Sequence, residues 1–81
     1  MMVRVLYFAS FRDAAGCDEE TRELPCGSRV SDLWATLSRE LAQLSRFPVM
    51  PPAAVNREYV AAGTELHDGD EVAFLPAVAG G

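Results

Sequence analysis

The sequence closes on Ala79-Gly80-Gly81. Two residues without Cβ make a thin, permissive backbone that can enter a channel too narrow for other residues. The pair points to the terminal carboxylate of Gly81 as the reacting group, with Gly80 as its channel-fitting neighbour. The other chemistry-bearing residue types do not assemble. His67 is the single histidine. It lies in an acidic stretch with no second histidine and no cysteine at ligand spacing, so four zinc ligands cannot be gathered. Asp68-Gly69-Asp70-Glu71 lacks the twelve-residue calcium-loop pattern and reads as a hairpin turn before a strand. Cys17 and Cys26 would each need a base within reach to act as nucleophiles, and no histidine is near either in sequence. No glycine-rich loop precedes a helix to cradle phosphate. The expectation is a chain with no self-contained active site and no metal or cofactor of its own.

Composition narrows the partners. The chain has 81 residues, enough for one domain, and 49% of them are hydrophobic, enough for a real core. The formal net charge is −5, from twelve acidic against seven basic residues. All seven are arginine, and there is no lysine. An acidic surface repels phosphate backbones, which disfavours nucleic acid and suits a basic protein partner. A chain that carries an activated acyl end also gains from having no ε-amine to attack it. Two cysteines are too few for a disulfide scaffold. If the segment between them is a strand, they stand roughly 30 Å apart, far beyond disulfide reach, so two reduced thiols are expected. No signal peptide and no membrane-length apolar run is visible. The expectation is a soluble, cytoplasmic protein.

The elements that would hold the tail follow from periodicity. Val3-Arg4-Val5-Leu6-Tyr7-Phe8-Ala9 is β-branched and aromatic and reads as a strand. Residues 10–17 are polar with a glycine and read as a loop. Residues 19–24 read as a second, half-wet strand, broken by Pro25-Cys26-Gly27-Ser28. Ser31 as N-cap and Asp32 in the first turn start a helix. Leu33, Leu37, Leu41 and Leu44 make its apolar stripe over about 14 residues. Pro48 and Pro51-Pro52 forbid its continuation. Ala53-Ala54-Val55 and Glu58-Tyr59-Val60 read as short strands around a tight Asn56-Arg57 turn. Glu71-Val72-Ala73-Phe74-Leu75 is the last strand, ended by Pro76.

One helix across one mixed sheet is an α+β roll. The apolar last strand suits a central place beside the first, which is the β-grasp of ubiquitin. The reading divides the chain into a domain over residues 1–76 and a flexible functional tail over 77–81. Six residues after Leu75 could span roughly 20 Å. If Val5, Tyr7, Val72 and Phe74 face the helix, then Leu6, Phe8, Ala73 and Leu75 face away, with Tyr59 beside them. The outcome is an exposed apolar patch flanked by Arg4, Arg12 and Glu71, the mark of a partner surface.

At these residues the chain resembles the MoaD family, the small subunits of molybdopterin synthase within the ubiquitin-like MoaD/ThiS sulfur carriers. The similar stretches are Val5-Leu6-Tyr7-Phe8-Ala9 with Arg12, and Ala54-Val55-Asn56. They continue through Leu66-His67-Asp68-Gly69-Asp70-Glu71-Val72-Ala73-Phe74 and Pro76-Ala77-Val78-Ala79-Gly80-Gly81. The resemblance implies a sulfur carrier for molybdenum cofactor biosynthesis. An E1-like, MoeB-type enzyme would use ATP to adenylate Gly81. A sulfur donor such as a cysteine desulfurase or a rhodanese-like protein would convert it to a thiocarboxylate. The tail would then enter the MoaE-type large subunit and give sulfur to a cyclic pyranopterin precursor, building the dithiolene. The chain would be a cosubstrate rather than an enzyme by itself, in a heterotetrameric synthase.

The resemblance also implies that Gly80, Phe8, Arg12, Tyr59 and Leu75 contact partners. At 59 and 75 the identities depart from the family pattern while apolar character is kept. Alternatives with the same fold and tail are a carrier for thiamine-thiazole or cysteine synthesis and a ubiquitin-like protein modifier. A plain binding module is the third.

Overall fold

The computed structural model describes residues 1–41, 44 and 50–75. Strand β1 (Met2–Tyr7) alternates as a half-buried strand should, with Val3, Val5 and Tyr7 buried. It pairs antiparallel with β2 (Glu19–Glu23) and parallel with β5 (Glu71–Phe74). On its other edge β5 pairs antiparallel with β3 (Ala53–Val55), which pairs with β4 (Glu58–Val60). The order β2-β1-β5-β3-β4 puts β5 at the centre with β1 beside it. That is the mixed sheet the apolar last strand implied.

Among the described residues two α-helices accompany the sheet: α1 (Ala9–Ala15) and α2 (Val30–Glu40). Val30, Leu33, Trp34 and Leu37 of α2 are buried in one core with Val5, Val72 and Phe74 of the sheet. Each fully buried large side chain of this kind contributes roughly 1.5–3 kcal/mol of transfer free energy. The Trp34 ring lies 5.1 Å from Phe74 and 5.8 Å from Phe11, centroid to centroid.

Three local expectations are corrected. Residues 10–17 are not a simple loop, because α1 occupies most of them. The reason is tertiary. Phe11 is buried edge-on against Trp34, which draws this polar segment onto the core. Gly16, with φ of 80°, closes the helix in the left-handed conformation, and its N–H reaches Arg12 O at 2.9 Å.

The start of α2 falls two residues earlier than expected, with Arg29 rather than Ser31 at the N-cap position. The first amides of the helix instead have partners across the fold. Val30 N–H donates to Thr64 O at 3.0 Å, and Ser31 N–H to Ala62 O at 2.9 Å. Asp32 does occupy the first turn, and its Oδ2 accepts from Arg29 N–H at 2.9 Å.

The helix is also shorter than expected, at 11 residues. Leu41 stands at its C-cap and Leu44 beyond it. Leu44 is nonetheless fully buried, so the apolar stripe continues past the end of α2. Pro48 lies outside the described residues, as do residues 76–81 of the tail.

The Asn56-Arg57 turn is as read. Both residues have positive φ, 52° and 73°, as a two-residue type I′ hairpin turn requires. Asp68-Gly69-Asp70-Glu71 forms a turn before β5 but not the hairpin expected, because β3 lies between β4 and β5 in the sheet, and both aspartates accept from backbone N–H groups. Asp68 Oδ1 accepts from Met2 N–H at 2.7 Å, and Asp70 Oδ2 from His67 N–H at 2.8 Å.

Candidate functional site

The face of the sheet opposite α2 carries the candidate site. Outward residues of neighbouring strands align in rows, because register fixes who stands beside whom. Leu6 stands beside Glu19 and Ala73, and Ala73 beside Ala54, which pairs with Tyr59. One row towards the start of β5, Arg4 stands beside Glu71. These side chains, with Phe8, Leu75 and Arg57, line an open groove of about 570 Å³. Tyr59 and Phe8 are the large apolar side chains most exposed along it.

The groove is polarised along its length. At one end the Arg4 guanidinium bridges Glu19 and Glu71, at 3.3 and 3.2 Å. The Asn56-Arg57 turn is pinned beside them, with Asn56 N–H donating to Glu71 O at 2.8 Å. At the other end stand Phe8 and Leu75. Leu75 N–H donates to Pro52 O at 3.0 Å, which holds the last described residue against β3. The described chain thus ends, at Leu75, at the apolar end of the groove.

Of the residues singled out by sequence, Phe8, Tyr59 and Leu75 come together in the groove. Arg12 does not line it. It lies on α1 and pairs with Asp18 at 3.7 Å. Gly80 and Gly81 lie outside the described residues. Glu19, Ala54 and Arg57 were missed. Glu19 and Ala54 were legible only through cross-strand register, which the sequence does not state.

The alternative chemistries find little support among the described residues. Burial pushes the Cys17 thiol above its ordinary range, and the Glu20 and Asp18 carboxylates add to the effect. A raised thiol is a poor source of thiolate. Cys17 and Cys26 are both free. His67 is exposed, 4.0 Å from both Glu65 and Asp70. No three His, Cys, Asp or Glu side chains gather into a group able to hold a metal ion, among the described residues. None of the helices is long and apolar enough to cross a membrane, among those residues.

A helix on one face of a β2-β1-β5-β3-β4 sheet, with a polarised apolar groove on the other, defines a ubiquitin-like β-grasp protein. The sequence profile of the ThiS family matches residues 5–81, and the chain belongs to that family. It is 40% identical to the molybdopterin synthase sulfur carrier subunit of Chlamydomonas reinhardtii, covering 100% of both chains. It is 42% identical to the subunit of the same name from Mycobacterium tuberculosis, covering 98% of this chain and 96% of that one.

Solved structures agree. A putative molybdopterin converting factor subunit 1 from Pyrococcus furiosus superposes with a TM-score of 0.87 at 38% identity, over 96% of this chain and 99% of the other. The small archaeal modifier protein 1 from Methanosarcina acetivorans superposes at 0.80 and 26% identity, over 99% and 96%. A chain in the complex of subunits 1 and 2 of the molybdopterin-converting factor from Helicobacter pylori superposes at 0.71 and 27% identity, over 100% of both.

Proposed function

We propose that this chain is the sulfur carrier subunit of a molybdopterin synthase. Full-length likeness to relatives that bear that name carries the reading. The Helicobacter pylori neighbour was solved in complex with its subunit 2, which supports a large synthase subunit as the partner here. The groove supplies the docking surface, and residues 76–81, which follow Leu75 in the sequence, supply the reach. Phe8, Tyr59 and Leu75 make the apolar contact, and Arg12 adds a charge from α1. Gly80 passes the partner's channel.

The chemistry resides at Gly81. A terminal carboxylate, with a pKa of roughly 3.3–3.7, is ionised at neutral pH and a poor electrophile. An E1-like adenylating enzyme joins it to the AMP part of ATP and releases pyrophosphate. The persulfide of a sulfur donor, a cysteine desulfurase or rhodanese-like protein, then attacks the acyl carbon and displaces AMP, and thiols cleave the acyl disulfide so formed, being oxidised to a disulfide and leaving a thiocarboxylate. Sulfur makes the end a soft nucleophile for the pyranopterin precursor held by the large subunit. The precursor carries phosphate, and a carrier of net charge −5 is badly suited to hold it. The basic pocket therefore belongs to the partner. The cycle is cytoplasmic, uses ATP only on the activating enzyme, and leaves the chain with no cofactor of its own. Residues 1–76 are the handle and 77–81 the working tail.

The likeness to a small archaeal modifier protein favours one second reading, attachment of Gly81 to lysines of other proteins. Intact mass of the protein from its native cells separates the two. One oxygen-to-sulfur exchange at Gly81 is the expected result. Finding only lysine-linked adducts would replace the carrier reading with the modifier one. Deleting Gly81 should abolish sulfur transfer and leave the unfolding transition unchanged.

A further inference from the structure

The turn between β3 and β4 uses a residue that its backbone does not favour. Both central residues have positive φ, and the second, Arg57, has φ of 73°. Glycine is the natural residue there, because a Cβ in the left-handed region crowds the following carbonyl. The first residue, Asn56, is compensated by its side chain. Its Nδ2 donates to Asp70 Oδ1 at 3.0 Å, and its Oδ1 accepts from Glu71 N–H at 3.1 Å. Arg57 has no such compensation. Among the described residues its guanidinium makes no ion pair and no side-chain hydrogen bond. It is exposed and lines the groove.

The contrast with Arg4 is informative. Arg4 lines the same end of the groove but is neutralised between Glu19 and Glu71. Arg57 is the unpaired cation of the lining, on a chain whose net charge is −5. A strained residue whose side chain does nothing for its own fold is retained for what it meets outside it. A partner covering the groove would desolvate this guanidinium. Unless the partner brings an anion, the buried charge is costly, and partners without one are rejected.

We propose that Arg57 is a specificity-determining residue of the groove, and that its guanidinium pairs with a carboxylate on the large synthase subunit. The assignment rests on the reading given under Proposed function. It adds that a partner otherwise suited to an acidic carrier presents one acidic side chain opposite the β3–β4 turn. A planar guanidinium binds a carboxylate in two-point fashion, which lysine cannot copy fully.

The test measures binding of the full chain to the purified large subunit, with unfolding midpoints taken in parallel. Arg57→Gly should raise the unfolding midpoint, because strain is relieved, and weaken binding by about 10-fold or more. Arg57→Lys should fall between that variant and the wild type. Arg57→Glu should bind most weakly at low salt and recover as salt rises. Equal binding by wild type and Arg57→Gly would overturn the assignment and leave the carrier reading intact. A lowered midpoint for Arg57→Gly would also overturn it, since Arg57 would then serve the fold. Failure of the wild-type chain to bind the large subunit overturns the carrier reading, and this assignment with it.

Discussion

Arg4 Nη2 stands 3.2 Å from Glu71 Oε2, across the parallel pairing of β1 with β5. The same guanidinium reaches Glu19 on β2, so one side chain ties three adjacent strands at the charged end of the groove. More than half of the Arg4 side chain is exposed to solvent, and exposed ion pairs contribute little. Arg4→Leu is expected to lower stability by less than about 1 kcal/mol. The loss should shrink at high salt. Urea unfolding at two salt concentrations measures both.

A second ion network predicts an alkaline limit to stability. The Tyr7 hydroxyl is buried and donates to Glu20 Oε1 at 3.0 Å. Burial, then that bond, then the Glu20 charge push the phenol well above its ordinary value of 10.0. The protonated phenol is the form the fold favours, so its contribution is whole below about pH 10 and is lost as pH rises above that. In that range the unfolded chain gives up the Tyr7 proton and the folded chain keeps it. Stability should fall by about 1.4 kcal/mol per pH unit from this one group. Tyr7→Phe should flatten that part of the profile, with a loss of about 1–3 kcal/mol near neutral pH from the charged hydrogen bond. Urea midpoints followed from pH 8 to 11, a span chosen to bracket about pH 10, distinguish the two chains.

Phe11 joins α1 to the core by its edge contact with Trp34. Phe11→Ala should cost about 3–5 kcal/mol, since a large buried ring leaves a cavity. Small domains have only about 5–15 kcal/mol in total, so this variant should be near the limit of folding at physiological temperature. Thermal unfolding reads the loss, and a drop under about 1 kcal/mol would mean that α1 packs only loosely on the core.

Tyr59 presents the opposite case, with 74% of its surface exposed. Tyr59→Ala should change folding stability by no more than about 0.5 kcal/mol. Docking to the large subunit should weaken by at least about 10-fold, since exposed aromatics at interface centres carry much of the binding energy. Calorimetric titration beside a urea curve separates the two effects. Equal affinity would remove Tyr59 from the docking surface.

Much of the frame was legible before any coordinates. Val3, Val5 and Tyr7 alternate with Arg4 and Leu6, and that period is enough to state a strand and its two faces. Asn56-Arg57 between two short apolar runs was enough to state a hairpin. The segment from 10 to 17 was not legible, because its local polarity says loop while one buried ring, Phe11, says helix. The start of α2 misled for a related reason. Ser31 is a good local cap, but the Thr64 and Ala62 carbonyls accept from the Val30 and Ser31 amides and draw the helix start back to Val30. Arg12 looked like a flank of the patch from its place after β1, and α1 turns it to Asp18 instead.

The residue order alone decided the class of this protein: which residues alternate into a sheet, that one amphipathic helix covers it, and that two glycines end the chain. These are local properties, set by backbone sterics and hydrophobic period. The polarised groove was decided only by the tertiary structure. Arg4, Glu19, Glu71 and Arg57 are scattered from one end of the chain to the other. They share a site because cross-strand register sets them side by side, and register depends on the whole packed core.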